Sequence, residues 1–482
     1  MKLIQGKKNN LHLILILVGF ILSVILSTYY VTKYDKYIWD NNNHQLIKDE
    51  TYYHWVEGAK IAKEVREGKN FFLSGDTTVT KPLHQRIIGI YSLLTGYNLV
   101  DSWEPAAKVS LEGKLPFLII QSFFYFFAVY FFSKRLVNIL PDKAFLFVIL
   151  FLSFEFTIFQ YHSSFWTESI YFSLQLLVFG MLLERRINFS HNLFIGILIG
   201  LAFLQRSGGV FYIFPVLLCY IFLFRKKISN PFLGIVSGFI LICILIGMFN
   251  YHKTKVFYVF PPGGKWSLHS YFSVHVLAEK LNISHDEARK FEVKKVLEWA
   301  DKNNIKFKDE LDLTKVNSPL NFRSYFLTEK DKIKFFDYIN YRQYEILLEN
   351  PLITIKKTIY NTAHIIILNP TFNHYYNTYR GVEKNSPEFV YTETHKNWIP
   401  FRITYTLIIY IFCLMGLIAL FNKKKFYEVS LILFSVLYYV ILFGWYGKTR
   451  LYVPSLIYLA VFFGVGVDIF LNSFKEYKKT KI

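Results

Sequence analysis

Ten apolar runs constrain this chain more than any other feature. They lie at about 11–30, 115–133, 143–160, 165–183, 193–207, 209–224, 231–250, 401–421, 427–444 and 450–472. Most approach the roughly 17–24 residues that cross a ~30 Å hydrocarbon core. Inside lipid the backbone must satisfy its own polar groups, which leaves helices for segments of this length. The expected fold class is an all-α polytopic membrane protein, with about ten transmembrane helices and helical extracytoplasmic loops.

Composition agrees. Of 482 residues, 53% are hydrophobic, above the roughly 45–50% usual in soluble domains. The net charge of +20 would suggest nucleic acid in a soluble chain. Here the basic residues gather at the ends of apolar runs, where the positive-inside rule accounts for them, so no nucleic-acid partner is expected. Cys219, Cys243 and Cys413 all fall inside apolar runs. There a cysteine acts as a small hydrophobe, and neither a disulfide framework nor zinc-ligand spacing is indicated. The first run follows Lys2, Lys7 and Lys8. A cleaved signal peptide is the alternative, but the run is long and lacks a small-x-small site before Tyr29 and Tyr30. A retained first span is favoured.

Orientation follows from the basic clusters. Alternate junctions carry Lys134 and Arg135; Arg185 and Arg186; Arg225, Lys226 and Lys227; Lys423, Lys424 and Lys425; and Lys475, Lys478 and Lys479. All become cytoplasmic if both termini are cytoplasmic. Segments 31–114, 161–164, 207–208, 251–400 and 445–449 then lie outside. The expected organisation is a seven-span module at 1–250 with a first outer loop at 31–114, a helical outer region at 251–400, and a three-span module at 401–482. Within 251–400, helices are expected at 284–303 and 328–349, the second opened by Thr328-x-x-Asp331. The run 350–370 mixes Lys356 and Lys357 into an apolar helix, which suits the membrane interface better than a span.

Several outer features carry chemistry. "KDETYYHWVEGAKIAKEVREG" predicts a helix over about 50–67. Tyr52, Trp55, Val56, Ala59 and Ala62 share one face, and Glu57, Lys60, Glu64 and Glu67 the other. That is the pattern of a helix lying on a membrane surface. Asp49 stands at its start, as an N-cap, as a catalytic acid or base, or as both. In "TVTKPLHQRIIGIYSLLTGYN", Lys81-Pro82 opens a second short helix with Arg86 in its first turn. These cations suit a phosphate at headgroup depth, or simple snorkelling. In "QYHSSFWTESIYF", Glu168 enters an apolar segment, where a carboxylate is expensive, and His162 precedes it. Arg206, Lys448 and Arg450 are basic on the outer side, against the positive-inside trend, and an anionic ligand is the simplest reason.

These segments, in this order, resemble the C-type superfamily of integral-membrane glycosyltransferases, near the protein O-mannosyltransferase and aminoarabinose lipid A transferase group (glycosyltransferase family 39-like). The resemblance rests on "KDETYYHWVEGAKIA", "TKPLHQRIIGIYSLLTGYN", "SSFWTESIYFSLQLL", "GILIGLAFLQRSGGVFYIFP", "ENPLITIKKTIYNTAHIIILNP" and "YGKTRLYVPSLIYLAVFFGVG", and runs through nearly the whole chain. It implies an inverting transferase in the inner or plasma membrane, with a polyprenyl-phosphate sugar donor and an extracytoplasmic site. By the same carry-over, Asp49 is the base, and Glu168 is a second acid that orients the acceptor or supports a metal. Lys81, Arg206 and Arg450 would hold the departing lipid phosphate, with Arg86 and Lys448 beside them. A divalent metal, if one binds, would fall to Asp49, Glu168 and His162. Two positions depart from the family pattern: Thr80 stands where an acid often precedes the Lys-Pro, and Arg206 is followed by Ser207 rather than proline. A transporter, flippase or polymerase of lipid-linked glycans is the alternative. It should place ionisable groups near the bilayer midplane, whereas here the charges collect on the outer rim. A non-catalytic scaffold is a third reading, and it would tolerate Asp49→Asn.

Overall fold

A computed structural model describes residues 10–34, 39–40, 45–46, 50–75, 82–96, 111–163, 166–224, 229–260, 272–307, 326–367, 387–444 and 452–480. Apart from a two-residue antiparallel pair, Trp39–Asp40 with Gln45–Leu46, the regular structure of these residues is helical. The chain runs α1 (Leu11–Tyr34), α2 (Glu50–Arg66), α3 (Pro82–Thr95), α4 (Leu111–Leu136), α5 (Asp142–Phe154), α6 (Phe156–Phe159), α7 (Glu168–Leu183), α8 (Phe189–Gln205), α9 (Ile213–Phe224) and α10 (Ser229–Thr254). Then follow α11 (Val274–Leu281), α12 (His285–Lys302), α13 (Glu329–Glu349), α14 (Pro351–Ile367), α15 (Pro387–Asn422), α16 (Phe426–Gly444) and α17 (Ser455–Thr480).

Among the described residues, six helical segments are long and apolar enough to cross a membrane. They are Leu11–Tyr29, Leu115–Leu136, Asp142–His162, Ser229–Thr254, Ile403–Asn422 and Ser455–Tyr477. Four shorter apolar helices, Glu168–Leu183, Phe189–Gln205, Ser207–Ile221 and Phe426–Ile441, fall on the remaining expected runs. At about 1.5 Å per residue, a helix of 16 residues is shorter than the hydrocarbon core is thick.

The bundle is closed by polar clips and by small residues. Ser23 bonds Ser122 at 2.9 Å, joining α1 to α4. Tyr427 donates to the Leu182 carbonyl at 2.6 Å, and Arg185 pairs with Glu428 at 2.5 Å, joining α7 and its following turn to α16. Two helix pairs approach backbone to backbone. A Cβ at Gly196 would strike the Ile235 carbonyl, and one at Gly238 the Leu193 carbonyl, where α8 crosses α10. Gly416 and Gly466 make the same seam between α15 and α17, against the carbonyls of Phe462 and Phe412. Small residues supply close packing where lipid gives no hydrophobic drive between helices.

The third long segment is broken at Glu155, which ends α5 and caps α6. Its carboxylate accepts from the Ile158 amide at 2.9 Å, Thr157 at 2.8 Å and Tyr405 on α15 at 3.1 Å. A buried carboxylate needs such donors.

The helix over Glu50–Arg66 forms as expected, with Trp55, Ala59 and Ala62 buried. Its apolar face is spent on protein, however, not on a membrane surface. Trp55 lies against Tyr91 and Phe117, and Gly58 sits beneath Ile88 of α3. Glu57, placed by periodicity on the polar face, is only 3% exposed. It pairs with Lys60 at 2.8 Å. The tight α2–α3 crossing wraps further round the helix than a one-sided apolar stripe requires.

Residues 274–367 hold the expected helices of the long polar region. Ser284 and Glu287 form a capping box on α12, and Thr328 accepts the Asp331 amide at 3.1 Å to start α13. Arg342 grips Glu292 at 2.7 and 3.4 Å, bringing α13 onto α12. Lys356 and Lys357 of α14 clasp Glu279 of α11 at 2.9 and 2.8 Å. Leu352, Ile355 and Ile359 of α14 are exposed. The far end of α14 hangs from Tyr410 of α15, which donates to the Ile366 carbonyl at 2.9 Å.

Candidate functional site

Glu168 is the first residue of α7, and Arg206 the residue that ends α8. The helices are neighbours joined by a short turn, so these two ends meet. Arg206 Nη1 lies 3.0 Å from Glu168 Oε1, with side chains 5% and 0% exposed. Thr167 donates to the other Glu168 oxygen at 3.2 Å. The ring of Tyr171, one turn along α7, lies 5.8 Å from the guanidinium. Among the described residues, Arg206 Nη2 is buried with no hydrogen-bond partner. A buried donor group of this kind is uncommon and calls for an acceptor.

The turn carrying Arg206 is held from several sides. The Gly209 amide donates to the Arg206 carbonyl at 2.8 Å, and Tyr438 of α16 donates to the Gly208 carbonyl. Gln205, just before Arg206, uses its Nε2 twice. It contacts His84 Nδ1 of α3 at 3.0 Å and donates to the Thr167 carbonyl at 3.1 Å.

The other expected site residues fall differently. Arg86 lies on α3, but its contacts run towards α10. Its guanidinium sits 4.4 Å over the Phe249 ring and approaches the carbonyls of Pro82 and Phe72 at 3.4 Å each. Burial lowers its pKa from the usual arginine value. His162 is fully buried. It meets Ser169 Oγ at 2.8 Å, with its ring 4.2 Å from that of Tyr125 and 5.9 Å from that of Phe159. It therefore packs into the bundle while Glu168 faces Arg206. No group of three or more His, Cys, Asp or Glu able to hold a metal occurs among the described residues. Asp49, Lys81, Lys448 and Arg450 lie outside the described residues.

Sequence reasoning passed over His84, Gln205 and Glu155. Each left a signal: a polar residue in a helix that is otherwise apolar on its buried side, or a carboxylate within an apolar run.

The fold has a solved counterpart. One similar structure is the apo crystal structure of an oligosaccharyltransferase from Archaeoglobus fulgidus. The TM-score is 0.51 and the identity 13%, over 98% of this chain and 52% of that one. A second structure, the archaeal oligosaccharyltransferase AglB from the same organism with an inhibitory peptide and a dolichol-phosphate, matches at a TM-score of 0.48 and 13% identity, over 98% of this chain and 51% of that one. This chain thus spans about half the length of the solved proteins it matches. No family model matches, and no curated protein does. The likeness to the first structure is one of fold, and six helical segments among the described residues are long and apolar enough to cross a membrane.

Proposed function

We propose that this chain is an inverting glycosyltransferase that moves a sugar from a polyprenyl-phosphate donor to an acceptor hydroxyl on the extracytoplasmic face. The observation that carries this reading is the buried Arg206 beside Glu168, with guanidinium donors to spare, in a fold similar to that of an oligosaccharyltransferase.

In this reading both termini are cytoplasmic, and the four shorter apolar helices complete ten spans with the six longer ones. The segment 251–400 is an outer helical region between the seven-span and three-span modules, and α14 lies in the outer interface. Asp49 removes the acceptor proton as the hydroxyl oxygen attacks the anomeric carbon. The bond from that carbon to the donor phosphate breaks on the opposite face, which inverts the configuration. The electron pair leaves on the lipid phosphate, where charge grows in the transition state. Fixed cations assist most at that point. Arg206 meets the phosphate from the bundle, with Lys81, Lys448 and Arg450 as further cations around it. Glu168 keeps Arg206 in place and limits its motion, and the acceptor orients against the same carboxylate. The acceptor is a cell-envelope lipid, polysaccharide or protein.

The test is genetic and chemical. Deleting the gene should remove one sugar from the cell-envelope glycans, read by mass spectrometry, and the wild-type gene should restore it. Asp49→Asn, expressed at the wild-type level, should not. Unchanged glycans in the deletion strain would overturn the reading as a whole. Restoration by Asp49→Asn would overturn only the choice of base.

A further inference from the structure

We infer that His84 is a positioning residue for the Glu168–Arg206 pair, acting through the carboxamide of Gln205. The inference rests on the transferase reading for its kinetic consequence, but its geometry stands independently.

Gln205 immediately precedes Arg206, and Thr167 immediately precedes Glu168. The bond from Gln205 Nε2 to the Thr167 carbonyl, 3.1 Å long, therefore ties the side chain just behind Arg206 to the backbone just behind Glu168. The same carbonyl accepts the Tyr171 amide at 3.1 Å, the first backbone bond of α7. A primary amide nitrogen has two hydrogens. With one on Thr167, the other points at His84 Nδ1, 3.0 Å away. Nδ1 must then accept, so this network assigns the neutral imidazole with its hydrogen on Nε2. His84 and Gln205 are both 0% exposed, so water does not compete for these bonds.

The imidazole is itself wedged. Its ring stands edge-on to that of His54 of α2 at 5.3 Å, and 6.2 Å from that of Phe117 of α4. His84 is two residues past Pro82, the first residue of α3. A single ring thus ties the first outer helices to the carboxamide behind Arg206. Remove its acceptor nitrogen and the carboxamide can turn over. The staple behind the pair then loosens, although neither charged residue has been altered.

The experiment compares full-length wild type, His84→Phe, His84→Asn, Gln205→Leu and the double variant His84→Phe/Gln205→Leu, purified in nanodiscs. Transfer is followed from a polyprenyl-phosphate sugar donor. His84→Phe keeps the ring and loses the acceptor, and kcat per folded molecule is expected to fall about tenfold or more with KM for donor little changed. In His84→Asn, Oδ1 takes the place of Nδ1, and kcat should return to within about threefold of wild type. The double variant should be no worse than Gln205→Leu alone, because both residues act through one bond. A merely structural role would lower yield and Tm, but would not produce rescue by asparagine or non-additivity. Should His84→Phe fail to fold, His84→Gln, which carries its acceptor towards the Nε2 position, takes its place.

A second measurement needs no activity. Amide hydrogen exchange at Tyr171 should quicken at least about threefold in His84→Phe, with the middle of α4 unchanged. Unaltered exchange at Tyr171, or an equal and measurable kcat in His84→Phe and an active wild type, would overturn the inference. A wild-type protein that transfers no sugar, together with quickened exchange in the variant, would overturn the transferase reading and keep the positioning role of His84.

Discussion

Arg206 and Glu168 meet 3.0 Å apart, with both side chains buried, although one closes a helix and the other opens a different one. Taking either charge away leaves its partner alone in a dry site, which costs about 3–5 kcal/mol for a buried pair. Removing both together is often nearly neutral. Arg206→Met should therefore lower thermal stability in detergent sharply, and Arg206→Met/Glu168→Leu should recover most of it. Transfer should be absent from both proteins. Recovery of activity along with stability in the double variant would show that the pair is structural only.

Glu155 carries a different kind of prediction. Its partners, among them the Ile158 amide, Thr157 and Tyr405, donate to it. Glu155→Gln places an amide NH₂ among donors, leaving a buried group unsatisfied at about 1–3 kcal/mol. Tyr405→Phe removes one bond and should cost about 1 kcal/mol. Thermal unfolding of the two variants should preserve that order. Glutamine matching wild type would mean that the carboxyl is already protonated there.

Helices α11 and α12 should respond to acid. His275 of α11 stacks on His285 at 3.8 Å. Burial first, then the neighbouring His285, Lys357 and Arg289, hold its pKa down to about 4 from 6.5. The unfolded chain takes up the proton at higher pH than the folded one, so stability is full above 6.5 and falls as pH drops from 6.5 to 4. Glu279 acts in the same direction lower down. Hydrogen bonds from Lys357 and then Lys356 hold it to about 2, so its contribution fades as pH falls from 4.5 towards 2. Protection of the amides in α11 and α12, taken relative to the intrinsic exchange rate at each pH, should fall between pH 7 and about 5 in wild type, and His275→Asn should flatten that change.

Arg342 and Glu292 set the strength of the α12–α13 contact. Glu292 is 0% exposed at the side chain and Arg342 13%. Arg342→Met should expose the 326–349 segment to protease under conditions where wild type resists, a loss of about 3 kcal/mol or more. Glu345, the other partner of Arg342, is more exposed, and Glu345→Gln should change little.

Much of this architecture is legible in the sequence, because lipid and backbone chemistry leave few choices. The long apolar runs became helices, and Thr328 with Asp331 capped the helix they announce. Glu168 and Arg206 each stand out as a costly charge at the edge of an apolar segment, yet no spacing rule joins them. Their meeting depends on α7 and α8 folding back on each other. Periodicity placed Trp55, Ala59 and Ala62 correctly and Glu57 wrongly, because a 3.6-residue repeat cannot foresee a second helix packing so closely on α2. The roles of His84 and Gln205 were hidden for a related reason. A neutral polar side chain on a buried face is visible in the sequence, but its role shows only once its partner is known, and theirs lie on distant parts of the chain.

The glycine seams reach beyond this molecule. At Gly196, Gly238, Gly416 and Gly466 the facing backbone occupies the place of a side chain. Loops, rims and even ligand-facing residues can drift while the helices keep their paths, but these four positions admit almost nothing larger than hydrogen. Ancestry should therefore outlast overall likeness there. A chain that shares this fold by descent is best sought by two pairs of small residues at matching depth in the crossing helices, long after the rest of its text has been rewritten.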